Sequence, residues 1–132
     1  MHSRISRRYE KFSAIMAFII WGGWAFYVNG DLGIEVRITS GLAQGTASLI
    51  ITLIMVRAVA GIFYRLPNNP LRLVLPAVIT VCITGSGLVL VHTFVGTPRI
   101  VPTIFPALTV AFIFCVYTAL KLHRATIIIK DH

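Results

Sequence analysis

Two arginines, Arg37 and Arg99, stand apart from the other basic residues of this chain. Each follows a turn-forming stretch, Asn29-Gly30-Asp31 or Gly96-Thr97-Pro98, and each leads into a long apolar run. The start of a helix carries unpaired N–H donors and partial positive charge, which favour an anion. An arginine there adds a planar fork of donors suited to phosphate or carboxylate. Asn29, His92, Thr93, Thr103 and, a little deeper, Gln44 fall in the same layer and can add hydrogen bonds. These residues make a candidate anion-binding cluster.

Other chemistry is missing from the pattern. There is no HExxH, no GxSxG, no phosphate-binding Gly-Lys loop and no carboxylate pair. Cys82 and Cys115 form no CxxC and have no metal-ligand spacing, and both lie in apolar runs as small hydrophobes. Neither a metal nor a cofactor is expected, and no enzymatic activity. No motif of a known family is matched, so no residue role is carried over.

The elements that must position the cluster follow from composition. Hydrophobic residues make up 57% of the chain and only 12% are charged, with a mean hydropathy of +0.86. Soluble domains carry about 25% charged residues. A water-soluble chain of this length cannot hide so much apolar surface in one core, so a bilayer must solvate part of it. Four apolar runs, near 12–28, 38–62, 73–95 and 100–122, each have the length of a membrane-spanning helix. The fold class expected is an all-α membrane protein, one domain of four transmembrane helices over 1–132. The first run holds Trp21, Trp24 and Tyr27 where a cleaved signal would need small residues, so it reads as a retained span. The net charge of +8 and pI near 10.4 are explained by topology, and with no basic face for a duplex, nucleic acid is not an expected partner.

Lysine and arginine set the orientation. Arg4, Arg7, Arg8, Lys11, Arg57, Arg65, Arg72, Lys121, Arg124 and Lys130 fall on one side, and only Arg37 and Arg99 on the other. The positive-inside rule then puts both termini in the cytoplasm. The setting expected is a bacterial inner (plasma) membrane. Trp24 and Tyr27 close span one at the outer interface. In such a setting Arg37 and Arg99 have a second reading, as anchors reaching lipid phosphates, with Asp31 or Glu35 pairing Arg37. His92 can sense pH or simply be hydrogen-bonded. No Asp or Glu lies within a span, which removes the usual carriers of proton-coupled transport.

The two halves share one layout of helix, outer turn, arginine, helix. A shift of 63 lays Ala14 on Ala77, Gly22 on Gly85, Val28 on Val91 and Asn29 on His92, and a shift of 62 lays Arg37 on Arg99. This fits two similar hairpins in a parallel repeat, and chance similarity between apolar segments fits the sparse identities as well.

Span two carries Gly41, Gly45, Ser48 and Thr52 on one stripe, a small-residue seam for close helix packing. Span three has Ala77, Thr80, Thr84 and Gly87 in a comparable stripe. The two seams are expected to join the hairpins, or one of them to face another subunit. Pro102 fits the first turn of span four, whereas Pro106, with Gly22 and Gly23, makes the outer half irregular. The short tail from Ala125 continues span four or docks through Ile127-Ile128-Ile129.

The function expected is a non-enzymatic membrane subunit that binds or helps move an anionic lipid-like or small-molecule ligand at the outer leaflet. A structural accessory subunit of a larger complex is the alternative, then a pore-forming oligomer. Besides the lipid bilayer, the partners expected are further copies or a larger membrane complex. Orientation is tested by single cysteines in a background without Cys82 and Cys115. Cysteines at Asp31 and Thr97 should react with an impermeant thiol reagent added outside sealed cells, and one at Asn69 should not; labelling at Asn69 reverses the topology.

Overall fold

The computed structural model describes residues 2–131, with side chains described for 7–128. It is all-helical: α1 (His2–Val28), α2 (Ile34–Arg65), a 3-10 turn at Pro70–Leu73, α3 (Leu75–Val95) and α4 (Ile100–Asp131). Four stretches, Arg7–Val28, Ile34–Arg65, Leu75–Val95 and Ile100–Ile128, are long and apolar enough to cross a membrane. Only 17–22% of each candidate span is buried inside the protein, so their outer faces are apolar and open. Phe94 is 92% exposed, Leu90 71% and Ile83 66%. Such surfaces need hydrocarbon around them. The chain is an integral membrane protein.

The helices overrun the apolar runs. α1 begins ten residues before Phe12, α2 begins four residues before Ile38 and ends at Arg65, and α4 continues nine residues past Leu122. Apolarity marks contact with hydrocarbon, but arginine, lysine and glutamate are good helix formers and carry the backbone further. The tail is therefore helical rather than a docked strand. Span three is the exception, because its first expected residue, Leu73, belongs to the 3-10 turn. There Asn69 caps Leu71 N–H at 2.9 Å, and Pro76, which has no N–H to pair, sits in the first turn of α3.

α2 is the central helix and touches the other three, whereas α1 leans chiefly on α2. This corrects one expectation about the seams. Gly41 and Gly45 do not join the hairpins; they face α1. A Cβ on Gly22 would stand 2.9 Å from the Gly41 carbonyl oxygen, and one on Gly45 would stand 3.0 Å from the Phe18 carbonyl oxygen. Glycine stripes on both helices allow this approach, and spacing alone marks a face without naming its partner. Ser48 is buried further along α2, and Thr52 is half-buried. In α3, Ala77 and Thr80 are buried, but Thr84 and Gly87 line an open groove between α2 and α3 of about 650 Å³.

The two ends of the bundle differ. The end holding the chain termini has an apolar core of Met55, Val59, Phe63, Ala77, Cys115 and Ala119 from α2, α3 and α4. The other end, formed by the α1–α2 and α3–α4 turns, is tied by polar groups. Glycine is required in both turns: Gly33 (φ 93°) precedes α2, and Gly96 (φ 81°) ends α3 in the left-handed conformation. Gly96 lets Thr97 N–H return to the His92 carbonyl at 2.9 Å, a Schellman closure.

Thr97 is thereby buried, so Pro98, which is exposed, is the better position for labelling that turn. The α1–α2 contact is tested by Gly45→Leu against Gly61→Leu, since a Cβ on Gly61 meets nothing within 4 Å. Overpacking costs about 1–3 kcal/mol. Gly45→Leu should lower the thermal midpoint of the extracted protein more than Gly61→Leu or Leu53→Ala; equal midpoints for all three variants contradict the close contact.

Candidate functional site

At the turn end two buried clusters sit side by side. The first joins α2, α3 and the α3–α4 turn. His92 is fully buried, with Nδ1 2.7 Å from Thr97 Oγ1 and Nε2 2.7 Å from Gln44 Oε1. Ser40 Oγ lies 3.0 Å from Thr97 Oγ1, and Gln44 Nε2 donates to Ser48 Oγ at 3.2 Å. With a neutral imidazole the directions are set: Nε2–H donates to Gln44, and Nδ1 accepts from Thr97, whose oxygen accepts from Ser40. Five side chains form one continuous chain.

The second cluster joins α1 to α4. Asn29, also fully buried, donates through Nδ2 to the Ala25 carbonyl at 2.8 Å and to Thr103 Oγ1 at 3.0 Å. Its Oδ1 accepts the Arg99 backbone N–H at 3.3 Å, and Thr103 donates to the Arg99 carbonyl. A third tie lies nearby. Pro106 has no N–H for the Pro102 carbonyl one turn before it, and that carbonyl accepts the Trp24 indole N–H at 3.0 Å. Trp24 therefore links α1 to α4, beyond the interfacial role its position suggests.

Both arginines reach the last turn of α1. Arg37 donates from Nε to the Phe26 carbonyl at 3.2 Å and stacks 4.0 Å from the Phe26 ring centre. Arg99 donates from Nη1 to the Val28 carbonyl at 3.0 Å and from Nη2 to Asp31 at 3.1 Å. The carbonyls at a helix C-terminus carry partial negative charge, and α1 has no basic residue of its own in that turn. The two guanidinium groups supply it from α2 and from the start of α4. Asp31 thus pairs with Arg99 rather than Arg37. Arg99 immediately precedes α4, whereas Arg37 lies one turn inside α2, because that helix begins at Ile34.

The structure brings Arg37, Arg99, Asn29, Thr103, His92 and Gln44 to one end, but not into one open site. Asn29, Thr103, His92 and Gln44 are 0% exposed, and their polar atoms are engaged inside the protein. Arg37 and Arg99 alone among the six retain access from outside. Ser40 and Thr97, which complete the His92 chain, were not singled out by sequence; the Gly96-Thr97 turn beside His92 was the only pointer. Thr93 is exposed and lies outside both clusters. Among the described residues, no group of three His, Cys, Asp or Glu can hold a metal.

Beside Arg37 a small apolar groove of about 290 Å³ runs along α1 and α2. Phe26, on which the guanidinium lies, forms part of its wall, with Ile19, Gly22, Gly23 and Ile38. An apolar channel next to a cation can take a chain and an anionic head.

The Gln44–His92 bond is tested by a double-mutant cycle read from thermal unfolding. Gln44→Leu and His92→Leu each leave the other partner buried and unpaired, so the double variant should fall short of additivity by about 0.5–2 kcal/mol. Strict additivity contradicts the bond. Comparison with models of protein families finds no match, and none is found among curated proteins or solved structures.

Proposed function

We propose that this chain is a non-enzymatic membrane subunit, both termini cytoplasmic, that binds or passes on an anionic lipid-like ligand at the outer leaflet. The observation that carries the reading is Arg37 lying on Phe26 beside the α1–α2 groove. Of the guanidinium's five N–H donors, one is engaged by the Phe26 carbonyl, which leaves the fork formed by its two terminal nitrogens for a phosphate or carboxylate. The groove suits an acyl chain. Arg99, its side chain 45% exposed, adds positive charge at the same helix end but is partly neutralised by Asp31.

The polar clusters support a parallel repeat of two hairpins. Under the shift of 63 residues that pairs spans one and three, Asn29 at the end of α1 becomes His92 at the end of α3. Asn29 bonds directly to Thr103 of α4, and His92 reaches Ser40 of α2 through Thr97, so the end of the first helix of each hairpin is tied to the early turns of the second helix of the other. In this reading the halves are related about an axis along the membrane normal.

A second reading, an accessory subunit or oligomer, is favoured by the α2–α3 groove. Ala43, Ala47, Thr84 and Gly87 expose two helix backbones there, and a helix of another chain fits such a surface.

Native mass spectrometry after gentle extraction tests both. The wild-type chain should retain phosphatidylglycerol over phosphatidylcholine. Arg37→Lys should insert normally but weaken that retention about tenfold, a loss of about 1.4 kcal/mol. Arg99→Lys should act less, and the double variant should be little worse than Arg37→Lys alone. Gly23→Leu should fill the groove and weaken retention with Arg37 intact, since a Cβ there meets nothing within 4 Å. Undiminished retention in Arg37→Lys and Gly23→Leu overturns the ligand reading, and a co-purifying protein in place of lipid supports the second.

A further inference from the structure

Three buried polar atoms among the described side chains have no hydrogen-bond partner: Arg72 Nε, Thr80 Oγ1 and His123 Nδ1. All three lie in the half of the bundle that holds the chain termini, whereas His92, Gln44 and Asn29 at the turn end are paired. Thr80 sits in the second turn of α3. Arg72 and His123 lie at the end of the bundle and make the informative pair.

Arg72 belongs to the 3-10 turn before α3 and is only 7% exposed. Its guanidinium carbon lies 4.1 Å from the centre of the Phe63 ring. Stacking covers the flat face and leaves the N–H donors directed outward in the plane, where an oxyanion binds. Arginine keeps its charge, and a buried charge without a partner is costly. Among the described side chains no carboxylate is placed to supply one: Asp31 and Glu35 lie at the opposite end, and Glu10 is on α1, which packs chiefly on α2.

His123 stands one turn beyond Ala119, on the α4 face that packs with Phe63 and Ala77, and α4 also packs on the 3-10 turn. His123, with its Nδ1 unpaired, therefore stands on the side of α4 that faces Arg72's element. The start of α3 adds to the setting: Val74 gives no side-chain cap and donates its own N–H to the Leu71 carbonyl, so the first N–H of α3, that of Leu75, stands uncapped three residues after Arg72. Arg65, Lys121 and Arg124 make this end strongly basic.

We propose that the terminal end of the bundle carries a second anion site, built on Arg72 and His123, that takes a phosphate group. The phosphate belongs to an anionic lipid headgroup of the cytoplasmic leaflet, one whose charge no choline offsets, or to free phosphate, and either presents uncompensated oxygens to the same donors. This site is separate from the one beside Arg37, at the opposite membrane face.

The test uses the full chain in nanodiscs of phosphatidylcholine alone, of phosphatidylcholine with phosphatidylglycerol, and of phosphatidylcholine with inorganic phosphate in the buffer. All variants carry Arg37→Lys, which removes the fork of the opposite face, so failure here leaves that reading standing and the reverse. Unfolding is followed by tryptophan fluorescence. With Arg72 present, the midpoint should rise by several degrees with phosphatidylglycerol, and with phosphate too if the free ion binds. Arg72→Met should match or exceed it in phosphatidylcholine alone, because an unpaired buried charge is gone, and should lose the response to both additives. A rise with phosphatidylglycerol only assigns the lipid headgroup. Arg72→Met less stable by the same amount in all three discs makes the guanidinium merely a packing group on Phe63 and overturns the site, as does an undiminished response. If Arg72→Met yields no protein, Arg72→Lys decides: a response cut severalfold supports the site, and an unchanged one overturns it.

Discussion

Hydrocarbon offers no hydrogen bonds, so a polar side chain within a span must find its partner in the protein. The fully buried His92 shows how much of the turn end follows from that constraint. Its two ring nitrogens fix the position of Gln44 on α2 and of Thr97 after α3, and Thr97 in turn engages Ser40. Three elements are thereby placed in register by one ring. Asn29 does the same for α1 and α4 through Thr103 and the Arg99 backbone. Individual hydrogen bonds in membrane proteins are worth only about 0.6 kcal/mol on average. Their effect lies in direction, since apolar faces can slide past each other and a bonded imidazole cannot.

The arginines show why residue type alone does not assign a role. Arg37, Arg72 and Arg99 are equally basic in the sequence, yet they meet three environments. Arg99 has a carboxylate and a helix-end carbonyl, and Arg37 has a carbonyl and an aromatic face. Arg72 has an aromatic face and a buried Nε without a partner. A sequence count sees Arg72 as one more positive charge steering topology. Its burial against Phe63 depends on how the 3-10 turn folds back, and no local pattern encodes that.

What was legible in the sequence divides along the same line. The four spans follow from unbroken apolar runs, because length and hydropathy answer to membrane thickness. Helix ends were less legible: Ile34 to Arg37 is helical although its first turn is mixed in polarity, and α4 runs on past Leu122 through His123 and Arg124. Asn29, His92, Gln44 and Thr103 were found as polar residues at one depth. That they bind each other depends on tertiary contact, and their short partners Ser40 and Thr97 resemble many other hydroxyl residues of the chain. The Gly41–Gly45 stripe was visible as a face, but its partner was not. Gly22 on α1 shows why: close approach needs small residues on both helices, and spans one and three both contain them.

The two halves of the bundle reach stability by different means, and this bears on where ligands can act. The terminal half has an apolar core from three helices, which no described side chain of α1 joins. α1 is held instead by its glycine contact with α2, by Trp24 on the Pro102 carbonyl, by Asn29 on Thr103 and by the two arginines on its last carbonyls. Most of these contacts cluster near its C-terminal end. An anion on the free fork of Arg37 would therefore bear on the attachment of α1, because the same guanidinium holds the Phe26 carbonyl. An anion at Arg72 would bear on the packed core instead, through Phe63.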